Sequence, residues 1–145
     1  MIKKFWRDCK GYVMPYTVML ITLVAMPMLV LSSEIVRAMY VGVHIQTAVD
    51  AACTAAVQAV DVSYFIDYGV VRIDSSNATA YALREFNSTV AQSNIEKYSP
   101  ALTAVSVVSD HIVECHASAQ MIWTLPGVAP LTFNVLSAAE AEARR

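Results

Sequence analysis

A chain of 145 residues with 57% hydrophobic content, a mean hydropathy of +0.48 and a formal net charge of −2 is more apolar than an ordinary soluble domain of its length. Four of its ten Lys and Arg residues, Lys3, Lys4, Arg7 and Lys10, fall within the first ten positions, so the remainder is acidic and lacks the basic surface that nucleic acid requires. Nucleic acid is therefore not among the expected partners.

The basic leader, residues 1–11, precedes a run of twenty residues without formal charge, Tyr12 to Leu31. At about 1.5 Å of rise per residue, a helix of this run is about 30 Å long and matches the hydrocarbon core of a bilayer. The sequence predicts a transmembrane helix over 12–31. Basic residues crowd its N-terminal side and only Arg37 follows closely. The N-terminus is thus expected in the cytoplasm and residues 32–145 form a single extracytoplasmic domain. The apolar run exceeds that of an ordinary signal peptide, and no small-x-small site closes it, which favours a retained anchor over removal by signal peptidase.

No proline follows the span closely, and Gly42 is the one helix-weakening residue up to Val60. The helix is predicted to continue from the span to about Val60, with Ile35, Met39, Ile45, Val49, Ala52, Ala56 and Val60 as its buried stripe. Glu34 and Arg37 lie one turn apart and can pair. Residues 61–74 read as an irregular connection with one short strand. Tyr64, Phe65 and Tyr68 there are expected to pack beneath the loop, with a contact surface as the other reading. A second helix is predicted over Asn77 to Lys97, capped by Ser75 or Ser76, burying Ala82, Phe86, Val90 and Leu83. The period then changes to two over Ala104–Val108, Ile112–Leu125 and Leu131–Ala143, with turns at Ser109-Asp110 and Pro126-Gly127. In the last strand Phe133, Val135, Ala139, Ala141 and Ala143 face one way, and Asn134, Glu140 and Glu142 the other. The expected fold is α+β: a long N-terminal transmembrane helix continuing into a small domain, where a second helix packs on a three-stranded antiparallel sheet.

Of the three cysteines, Cys9 is expected on the reducing side, and Cys53 and Cys115 on the exported side. Helical and strand phases turn both exported thiols toward the core, where two readings stand: a disulfide between them, or two small buried hydrophobes with inert thiols. His111, Cys115 and His116 are the only cluster suggesting a metal, but on a strand residues 111 and 115 share one face and 116 takes the other. Dispersed glycines give no phosphate-binding loop or nucleophile elbow, and no nucleophile, base and oxyanion set can be drawn. No catalytic residue, cofactor or metal is predicted; the expectation is a protein that is not an enzyme.

The ordered combination of Lys10-Gly11, the apolar span, Glu34-Ile35-Val36-Arg37-Ala38-Met39-Tyr40 and Ile45-Gln46-Thr47-Ala48-Val49-Asp50-Ala51-Ala52 resembles the TadE/TadG-like pilus-assembly proteins. The tail, Leu125-Pro126-Gly127 followed by a strand through Ser137-Ala138-Ala139, is similar more loosely. Glu34, Arg37, Gln46, Ala48 and Asp50 match the family's helix motif. The resemblance implies a pilin-like fold and a non-catalytic role as a pseudopilin or minor pilin of a tight adherence (Flp) pilus, a type IV-like organelle of cell adhesion in the bacterial envelope. It implies residence in the inner membrane or the pilus, with the membrane, other pilins, the pilus assembly platform, a prepilin peptidase and further copies of this chain as partners. Prepilins of the family are cut after a glycine followed five residues later by glutamate. Here Gly11-Tyr12 holds that place and Tyr16 stands where the glutamate would be. Gly11 reads either as a cleavage position or as a glycine at the membrane interface. An anchored extracytoplasmic binding or accessory module that never enters a filament is the alternative role.

Overall fold

The structure, a computed structural model, describes residues 10–141, and of residues 10–14 the backbone only. Cys9, the basic residues before Lys10 and the expected strand end at Glu142 and Ala143 lie outside the described residues. The chain divides into two units between Arg37 and Ala38. The first helix, α1, runs over Lys10–Val57.

In the first unit α1 carries Pro15 and Pro27 inside the helix. Each proline lacks the N–H that would bond one turn back, a defect that membrane helices tolerate. Polar side chains in this stretch are satisfied locally. Thr22 donates its hydroxyl to the Val18 carbonyl at 2.8 Å, Ser32 to that of Met28 at 2.8 Å, and Ser33 to that of Val30 at 2.7 Å. The large apolar side chains from Tyr16 to Leu31 are exposed. Among the described residues, one helix near the N-terminus is long and apolar enough to cross a membrane.

The second unit is α+β. The end of α1 is followed by α2 (Val62–Tyr68), α3 (Ser75–Ser93) and a single 3-10 turn (Glu96–Tyr98). Three strands complete it: β1 (Ala101–Ser109), β2 (Ile112–Met121) and β3 (Leu131–Glu140). They form one antiparallel sheet in the order β1-β2-β3. Its core face is set by the alternation on β2, where Val113, Cys115, Ala117, Ala119 and Met121 are buried. Helix α1 lies on this face, since the Cys53 thiol reaches the carbonyls of Val113 at 3.4 Å and Ser137 at 3.3 Å. The alanines make the approach close: Ala48, Ala52 and Ala56 from the helix and Ala117 and Ala119 from the sheet are all buried. A Cβ on Gly42 would stand 3.5 Å from the Phe133 ring, an ordinary contact.

Several boundaries and faces differ from the sequence reading. Ile35 and Met39 are exposed, and Val41 and Ala48 occupy the core in their place. At about 100° per residue, Ile35 and Met39 lie roughly 80° and 120° from Ile45, whereas Val41 and Ala48 lie within about 60° of it. Helix α1 ends at Val57, not Val60, because Val60 forms an antiparallel bridge with Ile73. The connection from 61 to 74 holds a helix as well as that bridge. Asp61 caps α2 by accepting from the Tyr64 amide, and Gly69 closes it at φ 67°.

Helix α3 is capped by Asp74, not by Ser75 or Ser76, and stops at the left-handed Asn94 before Lys97. Its buried stripe is Ala78, Ala82, Phe86 and Val90, one residue every turn, while Leu83 is exposed. Strand β1 begins earlier than expected, at Ala101, and contains two register shifts, at Leu102/Ala104 and Val107/Ser109. Each shift adds a residue to the edge strand and interrupts its alternation. Strand β2 ends at Met121 and β3 at Glu140, both short of the predicted limits.

Candidate functional site

The residues singled out on α1 form two local pairs. Glu34 ends the charge-free stretch and is buried, its side chain 2% exposed, with the Arg37 Nη1 2.8 Å from its Oε1. A carboxylate so far from water requires an opposite charge close by, and the spacing of three residues supplies one. About two turns into the second unit, Gln46 donates its side-chain amide to Asp50 Oδ1 at 2.9 Å, both on the exposed face. Ala48 lies between them in sequence but on the opposite side, fully buried. The motif thus combines an exposed polar stripe, extended by Thr47 and Thr54, with a small-residue stripe that packs.

Of the cleavage-motif residues, Gly11 and Tyr12 belong to α1 and their side chains lie outside the described ones. Tyr16 is exposed and with Met19, Leu20 and Leu23 lines a shallow apolar groove on the helix.

Cys53 and Cys115 are both buried and both free. The neighbouring Cys53 thiol and burial together push Cys115 far above the ordinary thiol range. The two therefore titrate as a pair that yields its second proton with great difficulty.

The other candidates do not converge. His111 sits at the β1–β2 turn with its Nε2 3.5 Å from Glu140 Oε1, Cys115 is in the core, and His116 faces outward on the far side of the sheet. Among the described residues no group of three or more His, Cys, Asp or Glu could hold a metal ion. A depression on the outer sheet face gathers Thr103, His116 and Asn134. Another, bounded by α1 and α3, gathers Gln58, Tyr81, Arg84 and Glu85. Two exposed carboxylates with lowered pKa values, Asp61 and Asp74, are helix caps. Asp61 is held below the usual range by the Ser63 hydroxyl at 2.6 Å and the Tyr64 amide. Asp74 is held there by the Ser76 hydroxyl at 2.7 Å and the amides that follow.

At Tyr64, Phe65 and Tyr68 the second of the two sequence readings, an exposed surface, is the one the structure shows. Helix α2 buries none of its residues, and Val62, Phe65, Ile66, Tyr68 and Val70 form an exposed apolar group where packing beneath a loop was expected. Tyr64 and Tyr68 stack with ring centroids 4.6 Å apart, and Arg72 lies 5.2 Å above Tyr64. The signal was present in Asp61 and Gly69, a cap and a stop eight residues apart. A second contact, the Tyr40 hydroxyl donating to the Ser93 carbonyl at 2.9 Å, ties α1 to the end of α3 and has no counterpart in sequence spacing. Compared with known proteins, the chain matches no family model, no curated protein and no solved structure.

Proposed function

We propose that the protein is a membrane-anchored pseudopilin or minor pilin that takes part in assembling a tight adherence pilus, as a structural and non-catalytic subunit. The observation that carries this reading is the division of labour along α1: apolar side chains stand exposed from Tyr16 to Leu31, and further along the same helix supplies the buried spine of an α+β head. The resemblance of the Glu34–Arg37 and Gln46–Asp50 segments to the TadE/TadG-like helix motif adds the family. In this reading the span lies in the inner membrane with the basic leader in the cytoplasm and the head exported.

The physical consequence concerns how such a subunit moves. Burial of apolar surface from water is worth about 25 cal/mol per Å², but that driving force largely vanishes for a helix already in lipid. Transfer of the span from bilayer to filament then rests on close packing between helices and on work done by an assembly platform. The exposed apolar group on α2 favours one second reading, an anchored accessory module that contacts its partner through Phe65, Ile66 and Tyr68 without entering a filament.

Shearing surface filaments from cells and comparing them with washed membranes tests the proposal. The expected result is this chain in the filament fraction, with an intact mass that also reports whether residues 1–11 have been removed. Chain confined to membranes, with filaments still forming in a deletion strain, would overturn it.

A further inference from the structure

We propose that Cys53 and Cys115 form a disulfide that staples α1 to the central strand as the head folds, on the reading that the head is exported. Two contacts locate the Cys53 sulfur. It lies 3.4 Å from the carbonyl of Val113, the residue two before Cys115 on the same face of β2, and 3.3 Å from the carbonyl of Ser137. Ser137 is the residue paired directly with Cys115 across β2 and β3. Cys53 therefore points down from the helix onto Cys115, with carbonyls on either side and no other side chain needed to complete the pair.

The surroundings fit a bridge better than two chance hydrophobes. Both cysteines are 0% exposed. The positions around them, Ala52, Ala56 and Ala117, are alanines that let helix and sheet approach as closely as a short covalent link demands. The link joins residues about 60 apart in sequence, and the entropy it removes from the unfolded chain grows with the length of the loop it closes. It would also tie the spine helix to the middle strand of a small sheet, whose two neighbours are both edge strands.

Oxidation needs an acceptor, which is the disulfide of an extracytoplasmic thiol oxidase or of oxidised glutathione. One cysteine thiolate attacks the oxidant to form a mixed disulfide and release a thiol. The second cysteine thiolate then displaces the other half, so two protein thiols lose their protons and two electrons and the oxidant leaves as two thiols. In the folded head neither sulfur can be reached, so this exchange takes place before the core closes. Once formed, the bond is shielded from reductants by the same burial.

The test uses the full chain with Cys9→Ala, so that one pairing is possible. Membranes are denatured without reductant and alkylated, and peptides are mapped by mass. Protease protection in spheroplasts reports on which side the head lies. The expected result is an exported head, no alkylated cysteine, a linked Cys53–Cys115 peptide pair, and a fall of several degrees in melting temperature on reduction. Two free thiols in an exported head would overturn the staple and leave the topology standing. A protected, cytoplasmic head would overturn the topology. In that case refolding the purified chain in oxidised glutathione decides the staple: quantitative linkage upholds its geometry and persistent free thiols refute it. The double variant Cys53→Ala/Cys115→Ala, which keeps the small volume, is expected to fold with the melting temperature of the reduced chain.

Discussion

Two stretches of one helix, residues 16–31 and residues 41–56, have similar side chains and opposite fates. In the first, leucines, valines and methionines are exposed all round; in the second, Val41, Ile45, Ala48, Val49, Ala52 and Ala56 are buried along one line, while Gln46, Thr47, Asp50 and Thr54 take the other. The difference lies in what polar residues accompany the apolar ones. An apolar helix with no polar face has no orientation to prefer in water and suits a uniform apolar solvent, whereas a two-faced helix fixes one packing partner and one wet side. Apolar content sets the first stretch apart, and the angular distribution of polar residues gives the second its buried line and its wet side.

The comparison can be broken by substitutions on either side of it. Phe86→Ala, which empties the largest fully buried side chain of the head, is expected to cost about 3–5 kcal/mol of head stability, read by denaturant unfolding in detergent. Leu23→Lys should leave that unfolding transition untouched yet cost about 2.5–3.5 kcal/mol in membrane insertion, read as the fraction of chain that resists carbonate extraction. If it shifted the head transition instead, residue 23 would belong to the packed core. Ala52→Leu adds volume at a fully buried position of the helix and should destabilise by about 1–3 kcal/mol. Gly42→Ala sharpens the comparison from the other direction. The added methyl meets Phe133 at an ordinary distance, so the helical gain of about 0.5–1 kcal/mol should appear as a higher melting temperature.

The smallest expected effect is one of pH. Asp61 and Asp74 are held below the ordinary carboxylate range by the hydroxyls and amides they cap. Their contribution is therefore fully present above the unfolded value and lost as pH falls through the lower folded one. Acid titration of melting temperature should show a step that is reduced in Asp74→Ala.

Elements with strong periodicity were legible in the sequence, and elements made by local chemistry were less so. The period of two from Ile112 and the core-facing phase of Cys115 located β2 and its buried face, though the strand ends at Met121, and Ala82, Phe86 and Val90 located the buried stripe of α3. Leu83 was misplaced because one residue beyond the stripe turns the side chain about 100° toward solvent. Ile35 and Met39 lie off the stripe for a related reason: Met39 stands six residues before Ile45, a step that turns the helix about 120° away from the core line. Short α2 was hidden by its aromatic and β-branched composition, which local capping by Asp61 and Gly69 overrides. The facing of Cys53 and Cys115 toward the core was readable from phase, but their mutual contact depended on how the helix lies across the sheet, which phase does not give.

The most direct measurement places a nitroxide at successive positions from 16 to 56 of the chain in lipid bilayers and compares collision with oxygen against collision with a water-soluble nickel complex. Oxygen access is expected to dominate at every position up to about residue 31. Beyond it, the nickel complex should reach positions 46, 47, 50 and 54, with neither reagent reaching 45, 49, 52 and 56. Nickel access with helical periodicity between residues 16 and 31 would contradict it, since that segment would then be one more two-faced helix of a domain in water.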